Sequence, residues 1–84
     1  MKYTVRWSQD AEDQLAEIWL EASDRNAVTL AQATIDAELA MNPESRGSEL
    51  SEGLRKYKVE PLVVLFEIDH PDRVVKVTAV KRSA

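Results

Sequence analysis

The chain of 84 residues contains no cysteine, one histidine, two glycines and three prolines. Without cysteine there is no disulfide framework, no thiolate for a zinc site and no thiol nucleophile. A single imidazole, His70, excludes a His-rich metal centre. Two glycines leave no Gly-rich loop of the kind that cradles a phosphate. No apolar run approaches the roughly 20 residues of a membrane-spanning helix. The opening MKYTVRWSQD alternates like a strand and does not read as an apolar leader. The expectation is one small cytoplasmic domain over residues 1–84, with no cofactor, no metal and no membrane contact.

Charge is abundant but unevenly placed. Residues 1–52 carry four basic and eleven acidic side chains, a net of −7. Residues 53–84 carry seven basic and four acidic, a net of +3, which together give the −4 of the whole chain. Bulk electrostatics therefore oppose nucleic-acid binding. The last third still has the means to present a local basic face.

Tyr3, Val5 and Trp7 alternate with Lys2, Thr4 and Arg6, the period of a strand with one apolar face. Ser8 stands where a helix N-cap belongs, and Asp10, Glu12 and Asp13 follow in the first turn, where carboxylates complement the helix dipole. Ala11, Leu15, Ile18, Trp19 and Ala22 recur at helical spacing, so residues 9–22 are predicted to form an amphipathic helix. Both tryptophans, Trp7 and Trp19, are expected in the core. After a short break, Asp24 is positioned to cap a second helix whose stripe is Val28, Ala31, Ile35 and Leu39. Asn42–Pro43 ends it, because the residue before proline disfavours the α region.

Residues 43–53 are polar, hold both glycines and read as a loop. Three strands follow, at 55–59, 62–68 and 74–80, with a polar tail at 81–84. Pro61 marks a bulge, a turn or an edge. Asp69–Asp72 supplies turn residues. Two helices in succession, then strands joined by short turns, indicate an α+β domain: a helical hairpin on one face of a mainly antiparallel sheet.

Little of this carries chemistry. His70 sits in a turn beside Pro71 and makes a poor member of a Ser-His-Asp triad. Glu12 and Asp13 belong to a solvated helix face. The informative stretch is Gly53-Leu-Arg-Lys-Tyr-Lys-Val. By alternation Arg55, Tyr57 and Val59 share one face of a strand, and Lys56 and Lys58 the other. Lys81 and Arg82 close the last strand near the same end of the sheet. Such a set can hold an anionic group.

The order and spacing of these segments resemble RelE/ParE-type toxins of bacterial type II toxin–antitoxin modules, the plasmid-stabilisation type. YTVRWSQDAEDQLAEIW is similar to the family's first strand and helix, NPESRGSEL to the loop after the second helix, and GLRKYKV, LVVLFEID and VVKVTAVKR to its sheet strands. The resemblance implies a β-α-α-β-β-β fold and a cognate antitoxin whose tail wraps and blocks the toxin. The antitoxin is expected to bring a helix or an added strand to the groove beside the helices or to the sheet edge.

The resemblance also implies two alternative activities. RelE-like members cleave mRNA on the ribosome with basic residues of the sheet strands; ParE-like members bind DNA gyrase. Arg55 matches the basic position after the Gly-Leu pair, and Lys81 and Arg82 match the basic residues ending the last strand. The implied target- or RNA-binding set is Arg55, Lys56, Tyr57, Lys58, Lys81 and Arg82. Arg55, Lys58 and Arg82 are its catalytic members if the chain is RelE-like. The Tyr-Arg pair frequent at the start of the central strand is replaced by Leu62 and Val63, and only Ser83 and Ala84 follow Arg82. The RelE-type catalytic set is therefore incomplete. The expected function is a ParE-like toxin that binds gyrase. The alternatives are a ribosome-dependent mRNA endoribonuclease and a non-toxic relative.

Overall fold

A computed structural model describes residues 2–83. The elements run β1 (Thr4–Trp7), α1 (Gln9–Glu21), α2 (Arg25–Met41), a 3₁₀ turn (Pro43–Ser45), β2 (Ser48–Ser51), β3 (Leu54–Val59), β4 (Leu62–Asp69) and β5 (Val74–Arg82). The strands form one sheet in the order β1-β5-β4-β3-β2. β1 runs parallel to β5, and every other pairing is antiparallel.

Both predicted helix caps form. The Ala11 N–H donates to Ser8 Oγ at 3.1 Å, and the Ala27 N–H donates to Asp24 Oδ1 at 3.0 Å. Each bond satisfies an N–H that the first helical turn leaves without an internal partner. α1 has no basic residue in its last turn. Arg25, from the start of α2, reaches back instead and donates to the carbonyls of Trp19 (3.1 Å) and Leu20 (3.0 Å). Its guanidinium also lies 4.7 Å from the Trp19 ring centroid, so one side chain closes α1 and fixes the turn between the helices.

The core lies between the helices and one face of the sheet. Val28, Ala31, Ile35 and Leu39 of α2 and Ala11 and Ile18 of α1 meet Leu62, Val64 and Phe66 of β4 and Val75, Val77 and Val80 of β5. Trp7 packs against this cluster and donates its indole N–H to Asp36 Oδ1 at 2.8 Å. Trp19 departs from expectation: it is 40% exposed and lines the cleft between the helices, because the hairpin leaves one side of α1 uncovered.

The segment read as a loop over 43–53 holds the 3₁₀ turn and the strand β2. Ser-Glu-Leu-Ser contains no strong strand former, and all four residues are exposed. What makes it a strand is its partner: Ser48 and Glu49 pair with Lys56 and Arg55. β2, not the strand beside Pro61, is therefore the edge of the sheet opposite β1. It is short and carries a register shift, both of which discourage pairing with a second chain. Pro61 falls in the two-residue turn between β3 and β4. The tail assigned to 81–84 is instead strand as far as Arg82.

β1 spans only the first half of β5, so the second half has a free edge. α1 lies along it. The Val80 N–H, which has no strand to bond, donates to Gln14 Oε1 at 2.9 Å. Ser8 ties the start of the helix to the same strand, through its N–H to the Val77 carbonyl (2.9 Å) and its hydroxyl to the Thr78 carbonyl (3.3 Å).

Candidate functional site

The register divides the predicted basic set between the two faces of the sheet. Arg55, Tyr57 and Val59 lie opposite Phe66, Val64 and Leu62, all three buried. That face is turned to the helices. Lys56 and Lys58 lie opposite Leu65 and Val63 and point to the other side. The alternation read from the sequence thus holds, and it separates Arg55 and Tyr57 from the two lysines.

A bulge in β5 decides which of its two terminal basic residues joins them. Leu65 pairs with Ala79, while its neighbour Phe66 pairs with Val77, so Thr78 is the extra residue. Its hydroxyl donates to the Leu65 carbonyl at 3.4 Å. The extra residue resets the two-residue period. Val75 and Val77 face the core before it, and Val80 faces the core after it. Lys81 consequently lies on the open face opposite Val63, and Arg82 lies on the helix side opposite Leu62. The sequence signal for the bulge is the three-residue step from Val77 to Val80, where an unbroken strand would step by two.

The open face has a simple plan. Lys58, Val63 and Lys81 form one row across β3, β4 and β5, and Lys56, Leu65 and Ala79 form the next. Lys58 and Lys81 flank Val63 at about 10 Å between backbones, two strand spacings. Leu50, Val63, Leu65 and Ala79 make the apolar floor of a groove of about 320 Å³, rimmed by Lys56, Lys81 and the Gln14 carboxamide. Val63 is 4% exposed and Leu50 54%. Lys58 is paired with Glu60 at 3.1 Å, both largely in solvent. Glu60 also accepts the Ser83 hydroxyl. The hydrogen bond from Ser83, and then those from Lys58, hold the Glu60 carboxyl below the usual carboxylate range.

Three members of the predicted set lie elsewhere. The Arg55 guanidinium donates to the Arg46 carbonyl (3.2 and 3.0 Å) and to the Gly47 carbonyl (3.3 Å). It pins the segment that leads into β2. Gly47 there has φ +66°, and a Cβ on it would lie 2.0 Å from the Lys56 carbonyl oxygen. Only glycine fits that approach. Tyr57 packs half-buried against the core. Arg82 pairs loosely with Glu21 at the end of α1, at 3.9 Å. Arg55, Lys58 and Arg82, the three residues expected to share catalysis, therefore do not converge.

His70 is remote from the groove, at the β4–β5 turn. Its ring meets Tyr3 edge-on at 6.4 Å between centroids. The Tyr3 hydroxyl donates to Glu44 at 3.3 Å, and its pKa is raised by burial and by that carboxylate. Among the described residues no cluster of three or more His, Asp and Glu side chains is placed to hold a metal ion, and no helix is long and apolar enough to cross a membrane.

The sequence matches the family of ParE toxins of type II toxin–antitoxin systems, parDE, over residues 5–84. Among curated protein sequences none matches it. Among solved structures the fold is similar to a chain of the RelBE2 toxin–antitoxin complex from Mycobacterium tuberculosis, at 20% identity and TM-score 0.83. That match covers 100% of this chain and 94% of the other. It is also similar to a chain of a chromosomal ParDE system from P. aeruginosa, at 13% identity and TM-score 0.73, covering 99% and 98%. A mutant E. coli RelE toxin in the free state matches at 16% identity and TM-score 0.68, covering 99% and 85%. At these identities the structures share the fold, and the match over nearly the whole sequence gives the family: the chain belongs to the ParE toxins of type II toxin–antitoxin systems.

Proposed function

We propose that this chain arrests growth by binding a protein target through the open face of its sheet, with DNA gyrase as the first candidate, and that a cognate antitoxin holds it inactive. The observation that carries the reading is the make-up of the groove. Its rim brings lysine ammoniums and one carboxamide around an aliphatic floor. A cation-rimmed apolar surface suits a protein partner with acidic and apolar side chains.

Cleavage of a phosphodiester makes a different demand. One group must take a proton from the attacking hydroxyl and another must give one to the leaving oxygen. A lysine ammonium is a donor only. The imidazole lies at the β4–β5 turn, and the carboxylate paired with the lysine row, Glu60, is engaged by Lys58 and Ser83. The ParDE toxin–antitoxin system of P. aeruginosa and the RelBE2 toxin–antitoxin complex of M. tuberculosis each include a chain of the same fold, which supports an antitoxin for this chain.

The test is gyrase supercoiling with the purified chain. Inhibition that disappears in a Lys56→Ala/Lys58→Ala/Lys81→Ala variant is the expected result. No inhibition at large excess, together with cleavage of message on translating ribosomes, would establish the nuclease reading instead.

A further inference from the structure

The two helices meet solvent in different ways. α1 holds Asp10, Glu12, Asp13, Glu17 and Glu21. α2 turns Val28, Ala31, Ile35 and Leu39 to the core. On its opposite side stand Asn26, Leu30, Ala33, Thr34, Ala37 and Met41, all exposed and none charged. Leu30 is 60% exposed and Met41 51%. A helix apolar on both sides has a second surface fit for burial. The three charges of α2 do not interrupt that surface. Arg25 is committed to the carbonyls at the end of α1, Asp36 accepts the Trp7 indole N–H, and Glu38 pairs with Arg46. The cleft beside α1 takes Thr29 and Gln32 from α2 and none of these six residues, so the outer stripe is a separate surface.

Leu30, Thr34, Ala37 and Met41 follow one another at steps of four, three and four residues. That spacing makes a continuous seam along the helix, about 16 Å from end to end. The seam is symmetric: from either end it runs large, small, small, large. An antiparallel helix with the same seam sets Leu30 against Met41 and Thr34 against Ala37. The small side chains then fall at the crossing, where the two axes come closest. A two-fold interface has to be self-complementary in this way.

We propose that the outer side of α2 pairs with α2 of a second copy of this chain, antiparallel, about a two-fold axis between Thr34 and Ala37. A seam without charge offers a charged segment no partner, and pairing two such seams strips water from no ion. Each chain carries −4, so long-range repulsion opposes the approach. A single helix pair is also smaller than a standard interface. The dimer is therefore weak, and it tightens as salt screens the repulsion. The helices cover one face of the sheet and α2 pairs through its far side. Both open lysine faces are thus left pointing outward, and under the target reading given above one particle carries two target-binding surfaces.

The test is an NMR concentration series on the isotope-labelled full chain, up to about 1 mM, where an interface below standard size associates. Translational diffusion is expected to slow with concentration, and the amides of Leu30, Thr34, Ala37 and Met41 to shift, both more strongly at high salt. Ala37→Glu, at an exposed position that suits a helix former, should remove both effects while the rest of the spectrum stays native. Leu20→Lys, in the cleft beside α1, should leave them in place. Leu30→Lys and Met41→Glu should each stay monomeric alone, because an unpaired charge enters the seam. Mixed together, these two variants should associate, since the antiparallel register sets the new lysine against the new glutamate. A parent that stays monomeric throughout, association lost in Leu20→Lys but kept in Ala37→Glu, association that weakens with salt, or no association on mixing would each overturn the proposal. None of these readouts uses growth or gyrase, so a chain that fails to arrest cells still decides the question.

Discussion

The two faces of this small sheet are built from the same alternation yet differ in kind. The face toward the helices is a sealed apolar layer, with Leu62, Val64, Phe66, Val75 and Val77 at 0% exposure. The outer face has an aliphatic floor too, in Val63, Leu65 and Ala79, but borders it with lysine side chains, the Gln14 carboxamide and the exposed Leu50. Lysine stems lie over apolar surface while their ammoniums stay in water. The inner face therefore supplies stability, and the outer face is the one the proposed function assigns to a protein target. The lesson is that a basic residue's strand position does not assign its role. Arg55 and Lys56 are neighbours in sequence, but the first secures the loop before β2 and the second borders the groove.

The sharpest way to break this contrast is on the sealed side. Phe66→Ala removes a fully buried ring and is expected to cost about 3–5 kcal/mol, a large share of the stability of a domain this size. Chemical denaturation measures it. Lys56→Ala or Lys81→Ala on the opposite face should stay within about 0.5 kcal/mol of the parent in the same experiment. Arg55→Ala comes next. It strips three hydrogen bonds from the Arg46–Gly47 carbonyls and is expected to lose about 1–3 kcal/mol. Hydrogen exchange should show the loss concentrated in β2, with the lysine rows unaffected. Ser8→Ala removes the cap of α1 and its hydroxyl contact to Thr78, for about 1 kcal/mol read as a lowered thermal midpoint.

The smallest effect is one of pH. The Glu60 carboxyl is held below its usual range by Ser83 and Lys58, so its ionised form is favoured in the folded chain. That contribution is present above the ordinary carboxylate range and is lost as pH falls through the lowered value. An NMR titration of the Glu60 side chain should show the low midpoint, and Ser83→Ala should move it back up.

The legibility of the sequence follows the same division. Ser8 and Asp24, the helical stripes and the strands β4 and β5 were readable because caps and periodicity are local. β2 was not, since Ser48–Ser51 carry no strand propensity and become a strand only by pairing with β3. The exposure of Trp19 depends on how two helices leave a cleft, which a single stripe does not reveal. In the site, Lys56 and Lys58 were placed together by alternation, and the register bears that out. Arg55 was misleading because its partners are main-chain carbonyls eight and nine residues earlier. Lys81 and Arg82 fall on opposite faces by simple alternation, and the bulge at Thr78 decides that Lys81 takes the open face and Arg82 the helix side. A main-chain partner and a one-residue bulge leave almost no mark in composition.

The measurement that tests the central claim most directly is growth of a bacterial host after tightly controlled induction of the chain alone. The parent is run beside the Lys56→Ala/Lys58→Ala/Lys81→Ala variant, with soluble protein levels matched. Arrest by the parent and normal growth with the variant is the predicted result. Arrest by both, or by neither, would contradict the assignment of the open lysine face as the surface through which this toxin acts.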